Sequence, residues 1–301
     1  LKFVKRWYSE LLPLIKDYQI DKGGNIILVQ LCNEIGMIHW LNKAADYIPS
    51  TEKMYRDFLA GKYGSVEKLN DAYMTNYGDF SEIDQPKKNE CDPKDFLVYC
   101  DWVYFYCEYY ARYYEKLFKT AVELGLEVPV IANIPQFYDF DVRGRGIYSP
   151  MTTLMFREFA KYVPGVIFGG AYQMRRLDYE NFHDISVTSE IVKMITSPGV
   201  PSMCCELQFG KMSDRPKIYP SDVELNLKAS AASGLNGLNG YMFSGGRNPE
   251  GYGGMGTYHE WQSPVSSTGA ERPHFSSVRE FGDLMKSFGR DIALTRKHTD
   301  V

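Results

Sequence analysis

Histidine and cysteine are scarce in this chain, which has 5 and 6 of them among 301 residues. No two cysteines have the Cys-x-x-Cys spacing of a zinc site, and no His-Glu-x-x-His or Gly-x-Ser-x-Gly motif occurs. These absences argue against a metalloprotease and against a serine hydrolase with a nucleophile elbow. The clustered His and Asp that a metal-dependent lyase would need at its strand ends are absent too. We therefore expect no metal and no cofactor.

The charge and hydropathy of the chain exclude further classes of partner. The 34 Lys and Arg against 38 Asp and Glu give a formal charge of -4 without a basic stripe, so nucleic acid is not an expected partner. No window contains the roughly 18 apolar residues of a membrane span. The segment GGRNPEGYGG lacks the Walker and dinucleotide spacings, which disfavours a nucleotide fold. Aromatic residues, by contrast, reach 15% and suit half-polar ligands such as sugars.

Apolar runs and helical patterns alternate along the chain. Each run is short and continuous, as in parallel strands that are buried on both faces, and each is followed by a helical pattern. The five runs are residues 25–31, 128–134, 165–172, 200–207 and 237–244. Repeated βα units predict an α/β fold with a parallel sheet, either doubly wound or closed into an eight-stranded barrel.

Two segments depart from this alternation. The polar stretch 36–93 contains two short helical patterns, 52–59 and 66–77, and is interpreted as a long insertion after the first strand. Residues 93–124 then form the longest helical pattern. Its many tyrosines recur at helical spacing, which is typical of core packing rather than of ligand binding.

Two of the five strands end in glutamate, Glu34 and Glu206. In βα folds the residues at the carboxyl ends of strands build the active site. Either glutamate alone could be a helix N-cap or half of a structural ion pair. Two facing carboxylates are also the groups that glycoside hydrolysis uses, one as a proton donor and one as a nucleophile or base. Asn33, directly before Glu34, could hold a sugar hydroxyl near the reacting carbon.

At these residues the chain resembles retaining glycoside hydrolases of clan A, most closely family 35 and next family 42, both known mainly as β-galactosidases. Four segments carry the resemblance in the family's order: GGNIILVQLCNEIG (23–36), ELQFG (206–210), NGYMFSGGRNPEG (239–251) and TYHEWQSPVSSTG (257–269). The sequence departs from the family 35 pattern at Asn25, Cys32 and Ile35, where that family has Pro, Glu and Tyr. The insertion segment YGSVEKLNDAY (63–73) is more similar to family 42.

The resemblance implies a role for each matching residue. Glu34 would be the acid/base and Glu206 the nucleophile of a retaining exo-glycosidase that removes terminal β-galactose. Asn33 would bind the sugar 2-hydroxyl, and three tyrosines, Tyr172, Tyr241 and Tyr258, would contact sugar or nucleophile. The alternatives are another clan A β-glycosidase, such as a glucosaminidase, glucosidase or mannosidase, and a non-catalytic carbohydrate-binding barrel. Trp261 could stack on a sugar or simply pack.

The resemblance also implies which strands of an eight-stranded barrel are present in this chain. It makes the strands that end at Glu34 and Glu206 the fourth and seventh of a TIM barrel, so that strands 4–8 lie in this chain and strands 1–3 are missing. We therefore expect residues 1–301 to be one incomplete catalytic domain of a larger polypeptide, with a missing N-terminal segment or further domains of the same polypeptide. The acid role requires a raised pKa at Glu34, aided by the charge of Glu206. Alternation along a strand further predicts that Cys204 and Ser202 share the side of Glu206.

Overall fold

The computed structural model describes residues 1–37, 39, 45–87, 93–134, 153–172, 177–179, 182–196, 198–210, 217–253, 256–295 and 298. These residues form a mixed α/β structure with two compact units. The helical unit draws on residues 1–16, 35–126 and 153–164, and the sheet unit on residues 17–34, 127–134 and 165–298. No helix in the described part of the chain is both long and apolar enough to cross a membrane.

Five α-helices of the helical unit are described from their first residue to their last. They are α1 (Lys2–Ile15), α2 (Pro49–Tyr63), α3 (Val66–Tyr73), α4 (Phe96–Glu123) and α5 (Thr153–Tyr162). Pro49 begins α2 at a position that needs no backbone donor, and Gly64 ends it in the left-handed conformation with φ 75°. Ser65 then caps α3 by accepting a hydrogen bond from the backbone N–H of Lys68. The helices predicted in the insertion and after it are therefore confirmed.

The aromatic residues of α4 form the core of the helical unit. Trp102 and Tyr106 are fully buried and lie against Tyr55 and Leu59 of α2 in one apolar cluster. Their rings meet edge to face, with 5.4 Å between the centroids of Trp102 and Tyr106. This confirms that the tyrosines at helical spacing pack in a core.

One charge is buried in this aromatic core. The carboxylate of Asp101 on α4 is completely buried, and it accepts hydrogen bonds from the hydroxyls of Tyr63 (2.6 Å) and Tyr73 (2.8 Å). The ammonium group of Lys62 binds the second carboxylate oxygen. A buried carboxylate is tolerated when it is paired and hydrogen-bonded in this way.

The sheet unit contains a parallel five-stranded sheet in the order β1-β2-β3-β4-β5. Its strands are β1 (Val29–Gln30), β2 (Val130–Ile134), β3 (Ile167–Tyr172), β4 (Met203–Gln208) and β5 (Gly237–Tyr241). Three helices follow the last three strands, namely α6 (Phe182–Ile195), α7 (Pro220–Ala232) and α8 (Phe275–Leu294). A short antiparallel pair, β6 (Gly246–Arg247) and β7 (Tyr258–His259), lies after β5. The predicted parallel βα arrangement is confirmed.

The first strand is shorter than the apolar run predicted. Only Val29 and Gln30 pair with β2, because the chain before them is diverted into a local turn. There, Ile26 donates its N–H to the carbonyl of Tyr18 and accepts from the N–H of Ile20. The backbone N–H and C=O of Ile26 are therefore hydrogen-bonded within this turn and not with β2.

A β-bulge interrupts β4 between Cys204 and Leu207, where the register with β5 shifts. Cys204 packs with Val223 and Leu227 of α7, whereas Cys205 packs with Ile131 and Ile167 on the opposite face of the sheet. The hydroxyl of Ser202 donates to the carbonyl of Gly234, in the turn that follows α7.

Glu206 lies on the face of Cys205, because it contacts Asn133, which alternates with Ile131 on β2. The prediction that Cys204 and Ser202 share the side of Glu206 is wrong. The extra residue of the bulge reverses the alternation between Cys204 and Glu206.

In the described residues, β1 and β5 are the edges of the sheet and each pairs on one side only. Five strands in this order do not close on themselves. The absence of strands 1–3 and the single catalytic domain over residues 1–301 stay predictions.

Candidate active site

Glu34 follows the first strand of the sheet, β1, and Glu206 lies in the fourth, β4. Glu34 lies four residues beyond β1 with φ 46°, a left-handed conformation that residues with a Cβ seldom adopt. Glu206 lies in the bulge of β4, where its Cα is paired in register with that of Ala171 on β3. Unusual backbone conformations cluster at functional sites, and both side chains are half-buried.

A chain of amides connects the two carboxylates. The side-chain NH2 of Asn133 on β2 donates to Glu206 Oε1 at 3.2 Å and to Asn33 Oδ1 at 2.8 Å. The side-chain NH2 of Gln30 donates to the same Asn33 Oδ1 at 2.9 Å, and Asn33 Nδ2 lies 3.4 Å from Glu34 Oε2. The predicted residues Asn33, Glu34 and Glu206 are thus brought together in one site.

The two carboxyls have perturbed acidities. Burial, and then the negative charge of Glu206, raise the pKa of Glu34 to about 7. Burial also raises the pKa of Glu206, while the hydrogen bond from Asn133 lowers it. The predicted raised pKa of Glu34 is therefore confirmed, with burial as its larger cause. Two carboxyls whose environments differ in this way suit an acid and a nucleophile.

Tyr241, at the end of β5, belongs to the same site. Burial, followed by the charges of Glu206 and Glu34, raises the pKa of its hydroxyl, which indicates that the ring lies near both carboxylates. The indole of Trp261 meets the Tyr241 ring edge to face at 5.4 Å. Trp261 has φ 38° and also contacts the ring of His259 at 4.5 Å. Trp261, whose role the sequence left open, therefore packs against a residue of the site.

The other two predicted tyrosines are placed differently. Tyr258 is 58% exposed, and the Arg247 guanidinium lies over its ring at 5.8 Å from the centroid. Tyr172 is the last residue of β3 and pairs in register with Leu207, the neighbour of Glu206. The Tyr172 side chain lies outside the described part of the structure. Sugar contacts by Tyr172 and Tyr258 stay predictions.

Asn133 is the site residue that sequence reasoning missed. It is 1% exposed and lies in the apolar run VIANI, where it looked like an ordinary strand residue. Its signal was a polar side chain near the carboxyl end of a buried strand, where a polar group requires a partner. Among the described residues, no three His, Cys, Asp or Glu side chains are grouped as a metal ion would require.

Comparison with known proteins gives a family and several relatives. The sequence profile of glycoside hydrolase family 42, described as beta-galactosidase, matches residues 2–277. A beta-1,2-glucosyltransferase of Ignavibacterium album is 29% identical over the whole chain, which covers 41% of that protein. An exo-beta-D-glucosaminidase of Pyrococcus horikoshii is 26% identical over 95% of the chain and 36% of that protein. The chain thus spans well under half the length of these relatives.

Solved structures give the fold. A beta-galactosidase from Bacillus circulans superposes with a TM-score of 0.70 over 98% of this chain and 40% of its own, at 18% identity. A beta-galactosidase from Marinomonas ef1 superposes with a TM-score of 0.69. The match covers 98% of this chain and 45% of that protein, at 13% identity. These neighbours are TIM-barrel glycosidases, in agreement with the expected fold class. The matching profile is that of family 42, and the expected priority of family 35 is not supported.

Proposed function

Because the chain belongs to glycoside hydrolase family 42, we propose that the site around Glu34 and Glu206 cleaves β-glycosidic bonds with retention of configuration. Glu206 is the nucleophile and Glu34 the acid/base. The observation that carries this proposal is the pair of carboxyls in one site, of which Glu34 has its pKa raised to about 7, partly by Glu206. Glu34 therefore holds a proton under conditions in which an ordinary glutamate has lost it.

In the first step a carboxylate oxygen of Glu206 bonds to the anomeric carbon while the bond from that carbon to the leaving oxygen breaks. Glu34 gives its proton to the leaving oxygen and becomes a carboxylate. Once Glu206 is an ester it has no charge, so one of the two causes that raise the pKa of Glu34 disappears. With a lower pKa, Glu34 is ionised and able to accept a proton in the second step.

In the second step Glu34 takes a proton from water, the water oxygen bonds to the anomeric carbon, and the bond to Glu206 breaks. Two displacements at one carbon retain its configuration. Asn33 and Tyr241 lie beside the carboxylates and are the residues we assign to sugar binding, and Trp261 supports the Tyr241 ring. Contacts from Tyr172 and Tyr258 are part of the same proposal.

A β-galactoside is the substrate that the family's description supports. A second candidate is transfer, in which a sugar hydroxyl replaces water in the second step. The observation that favours it is the match of the whole chain to a protein named beta-1,2-glucosyltransferase. The glucosaminidase relative keeps a 2-amino sugar among the alternatives. A panel of aryl β-glycosides, assayed with and without sugar acceptors, separates these activities.

A mechanism-based trap tests the proposed residues. We expect a 2-fluoro β-galactoside or β-glucoside with a good leaving group to inactivate the protein, and peptide mapping to locate the sugar on Glu206. Glu206→Gln should not be labelled. Cleavage of the aryl glycosides with a label on another residue would contradict the assigned nucleophile, and an inverted product anomer seen by NMR would contradict double displacement.

A further inference from the structure

Two side-chain amides, those of Asn133 and Asn33, lie between the carboxylates of Glu206 and Glu34, and the contacts of each determine which of its atoms is the NH2 nitrogen. An ionised carboxylate only accepts hydrogen bonds, so the Asn133 atom that lies 3.2 Å from Glu206 Oε1 has to be its NH2 nitrogen. The same nitrogen is 2.8 Å from the side chain of Asn33, and the Asn33 atom that it meets has to be the oxygen. The charge of Glu206 therefore determines the orientation of an amide that it does not touch.

Gln30 strengthens this orientation. Its NH2 donates a second hydrogen bond, at 2.9 Å, to the same Asn33 oxygen. An amide oxygen has two lone pairs, so both acceptor positions of Asn33 Oδ1 are used inside the protein. Turning the Asn33 amide over would place its NH2 against the NH2 of Asn133, whose orientation Glu206 fixes. Asn33 is exposed, and the group that it leaves for a substrate is its NH2, a donor with two hydrogens that also lies 3.4 Å from Glu34 Oε2.

We propose that Asn133 is a positioning and specificity-determining residue that holds the Asn33 amide with its NH2 toward the substrate, so that the site selects sugars whose C2 substituent accepts a hydrogen bond. This inference rests on the proposed function. A 2-hydroxyl satisfies the requirement, because hydroxyl oxygens accept as well as donate. A protonated 2-amino group has three donors and no acceptor, and it would face the Asn33 NH2 donor to donor.

The charged and titratable groups around Asn33 bear on this selection. The carboxyl of Glu34 and the thiol of Cys32 are next to Asn33. The carboxyl of Glu206, which Asn133 connects to Asn33, has the hydroxyl of Tyr241 and the thiol of Cys205 near it. A 2-ammonium group could be attracted to Glu206, but it would then occupy the lone pairs of the nucleophile. A neutral 2-amino group has a free lone pair and can accept from Asn33. Discrimination should therefore weaken as the amino group of the substrate loses its proton.

The first test compares aryl β-glucoside with aryl β-glucosaminide on the unmodified protein, with one leaving group for both. We expect kcat/KM at pH 6 to favour the 2-hydroxy sugar by about 100-fold or more, because a site whose donor is aimed at a substrate group rejects an analogue that leaves this donor unpaired. The ratio of the two values should fall as pH rises through the pKa of the substrate amine. Ionisations of the protein itself cancel in that ratio. The galactoside and galactosaminide pair serves as a second comparison.

Three outcomes are distinct. A glucosaminide turned over as well as the glucoside at pH 6 overturns this inference and leaves the proposed function intact. If no glycoside is cleaved, binding of methyl β-glucoside and methyl β-glucosaminide is titrated by NMR, and a preference for the 2-hydroxy sugar still supports the inference. Failure of both sugars to bind overturns the inference and the proposed function together.

The second test separates Asn133 from a structural role. Asn133→Asp keeps the shape of the side chain but removes the NH2, and Asn133→Ala removes the whole amide. We expect both variants to lower kcat/KM for 2-hydroxy glycosides by about 10-fold to 100-fold and to reduce the preference over 2-amino glycosides. Loss of the donor to Glu206 should also move the acidic limb of the pH profile of kcat/KM to higher pH.

Asn226 provides a matched control. It is another fully buried asparagine, whose NH2 donates to the backbone carbonyl of Gln208 at 3.3 Å. Asn226→Ala should lower the Tm while leaving the C2 preference unchanged. Asn133 variants that lose activity but keep the wild-type preference would overturn the positioning role. If neither Asn133 variant folds, the comparison of aryl β-glucoside with aryl β-glucosaminide on the unmodified protein still decides whether the site has the proposed C2 preference.

Discussion

Glu34 combines a left-handed backbone conformation, φ 46°, with a raised pKa. Its pKa of about 7 comes first from burial and second from the negative charge of Glu206. In the proposed mechanism only the protonated form starts the reaction. We therefore expect kcat/KM to fall as pH rises through about 7, tenfold per pH unit beyond it. Measurement of kcat/KM between pH 4 and 9 on an aryl glycoside with a poor leaving group tests this.

The acidic limb of the same profile belongs to Glu206, which has to be ionised in order to attack. Burial raises its pKa, so activity should already decline above the pKa of an exposed glutamate. The two carboxyls interact, and the limbs therefore report the pair. Glu34→Gln removes the group assigned to the basic limb. A basic limb of unchanged position in that variant would argue against the assignment.

Glu34→Gln also separates the acid role from the base role. We expect kcat/KM to fall about 10²-fold to 10⁴-fold on glycosides with poor leaving groups, which need a proton donor. Dinitrophenyl glycosides need none, so their first step should keep a rate near that of the unmodified protein. The second step then lacks its base, and added azide should restore turnover and give a β-glycosyl azide. Equal losses on both kinds of leaving group would contradict the acid role.

Some of the site could be predicted from residues alone and some could not. In the sequence Glu34 and Glu206 come at the ends of apolar runs, and the carboxyl ends of parallel strands meet at one edge of a sheet, so their pairing followed from topology. In the structure Glu34 lies four residues beyond β1 and Glu206 lies within β4, two residues before its end. Asn133 could not be assigned in this way, because its function depends on which atoms of Asn33 and Glu206 it faces across two neighbouring strands. Those contacts are set by register and by the bulge, which a single sequence does not encode locally.

At the scale of the element, the bulge of β4 determines where the nucleophile points. It lies between Cys204 and Leu207, and the side-chain NH2 of Asn239 on β5 donates to the carbonyl of Cys205 at 2.8 Å. A bulge leaves a residue out of the strand ladder, and this hydrogen bond satisfies one of its backbone groups. Asn239 thus acts on the conformation of the residue immediately before Glu206.

We expect Asn239→Ala to reduce kcat by about 10-fold with a smaller change in KM, because a displaced nucleophile weakens the transition state more than binding. Asn239 is exposed, so the free energy of unfolding should fall by no more than about 1 kcal/mol. Steady-state kinetics and urea unfolding measure the two effects. A variant with normal kcat and normal rate of trapping by a 2-fluoro glycoside would show that the bulge holds without this hydrogen bond.

The long helix α4 depends on a different polar interaction. Asp101 is fully buried and is satisfied by Lys62, Tyr63 and Tyr73. Asp101→Asn keeps the size of the side chain, but it removes the charge that pairs with Lys62 and turns one acceptor into a donor. We expect the free energy of unfolding to fall by about 3 kcal/mol, as when one partner of a buried ion pair is lost.

Asp57 is the matched control for that substitution. It forms an ion pair with Lys53 on the surface of α2, where the two side chains are 63% and 74% exposed. Asp57→Asn should change the free energy of unfolding by less than about 0.5 kcal/mol. Urea titrations of both variants provide the comparison. Equal small effects would mean that water reaches Asp101 and that its partners are replaceable.

At the scale of the whole molecule, the sequence predicted the order of strands and helices well. Alternation of apolar runs with helical patterns led to parallel βα units, and all five predicted strands occur. The first strand was overestimated, because residues around Ile26 satisfy their backbone groups with Tyr18 and Ile20 rather than with β2. Apolar content indicates burial, but it does not state which backbone partner a residue will have.

Closure of the sheet is the remaining question at this scale, and hydrogen exchange addresses it. Barrels of this class close with eight strands, whereas β1 and β5 each have one neighbour among the described residues. Backbone N–H groups on the outer sides of β1 and β5 should therefore exchange orders of magnitude faster than those of β2, β3 and β4 in the 301-residue chain. Protection of outer amides in β5 equal to that in β3 would contradict an open edge, because it requires another strand, from this chain or from a second copy, to pair with β5.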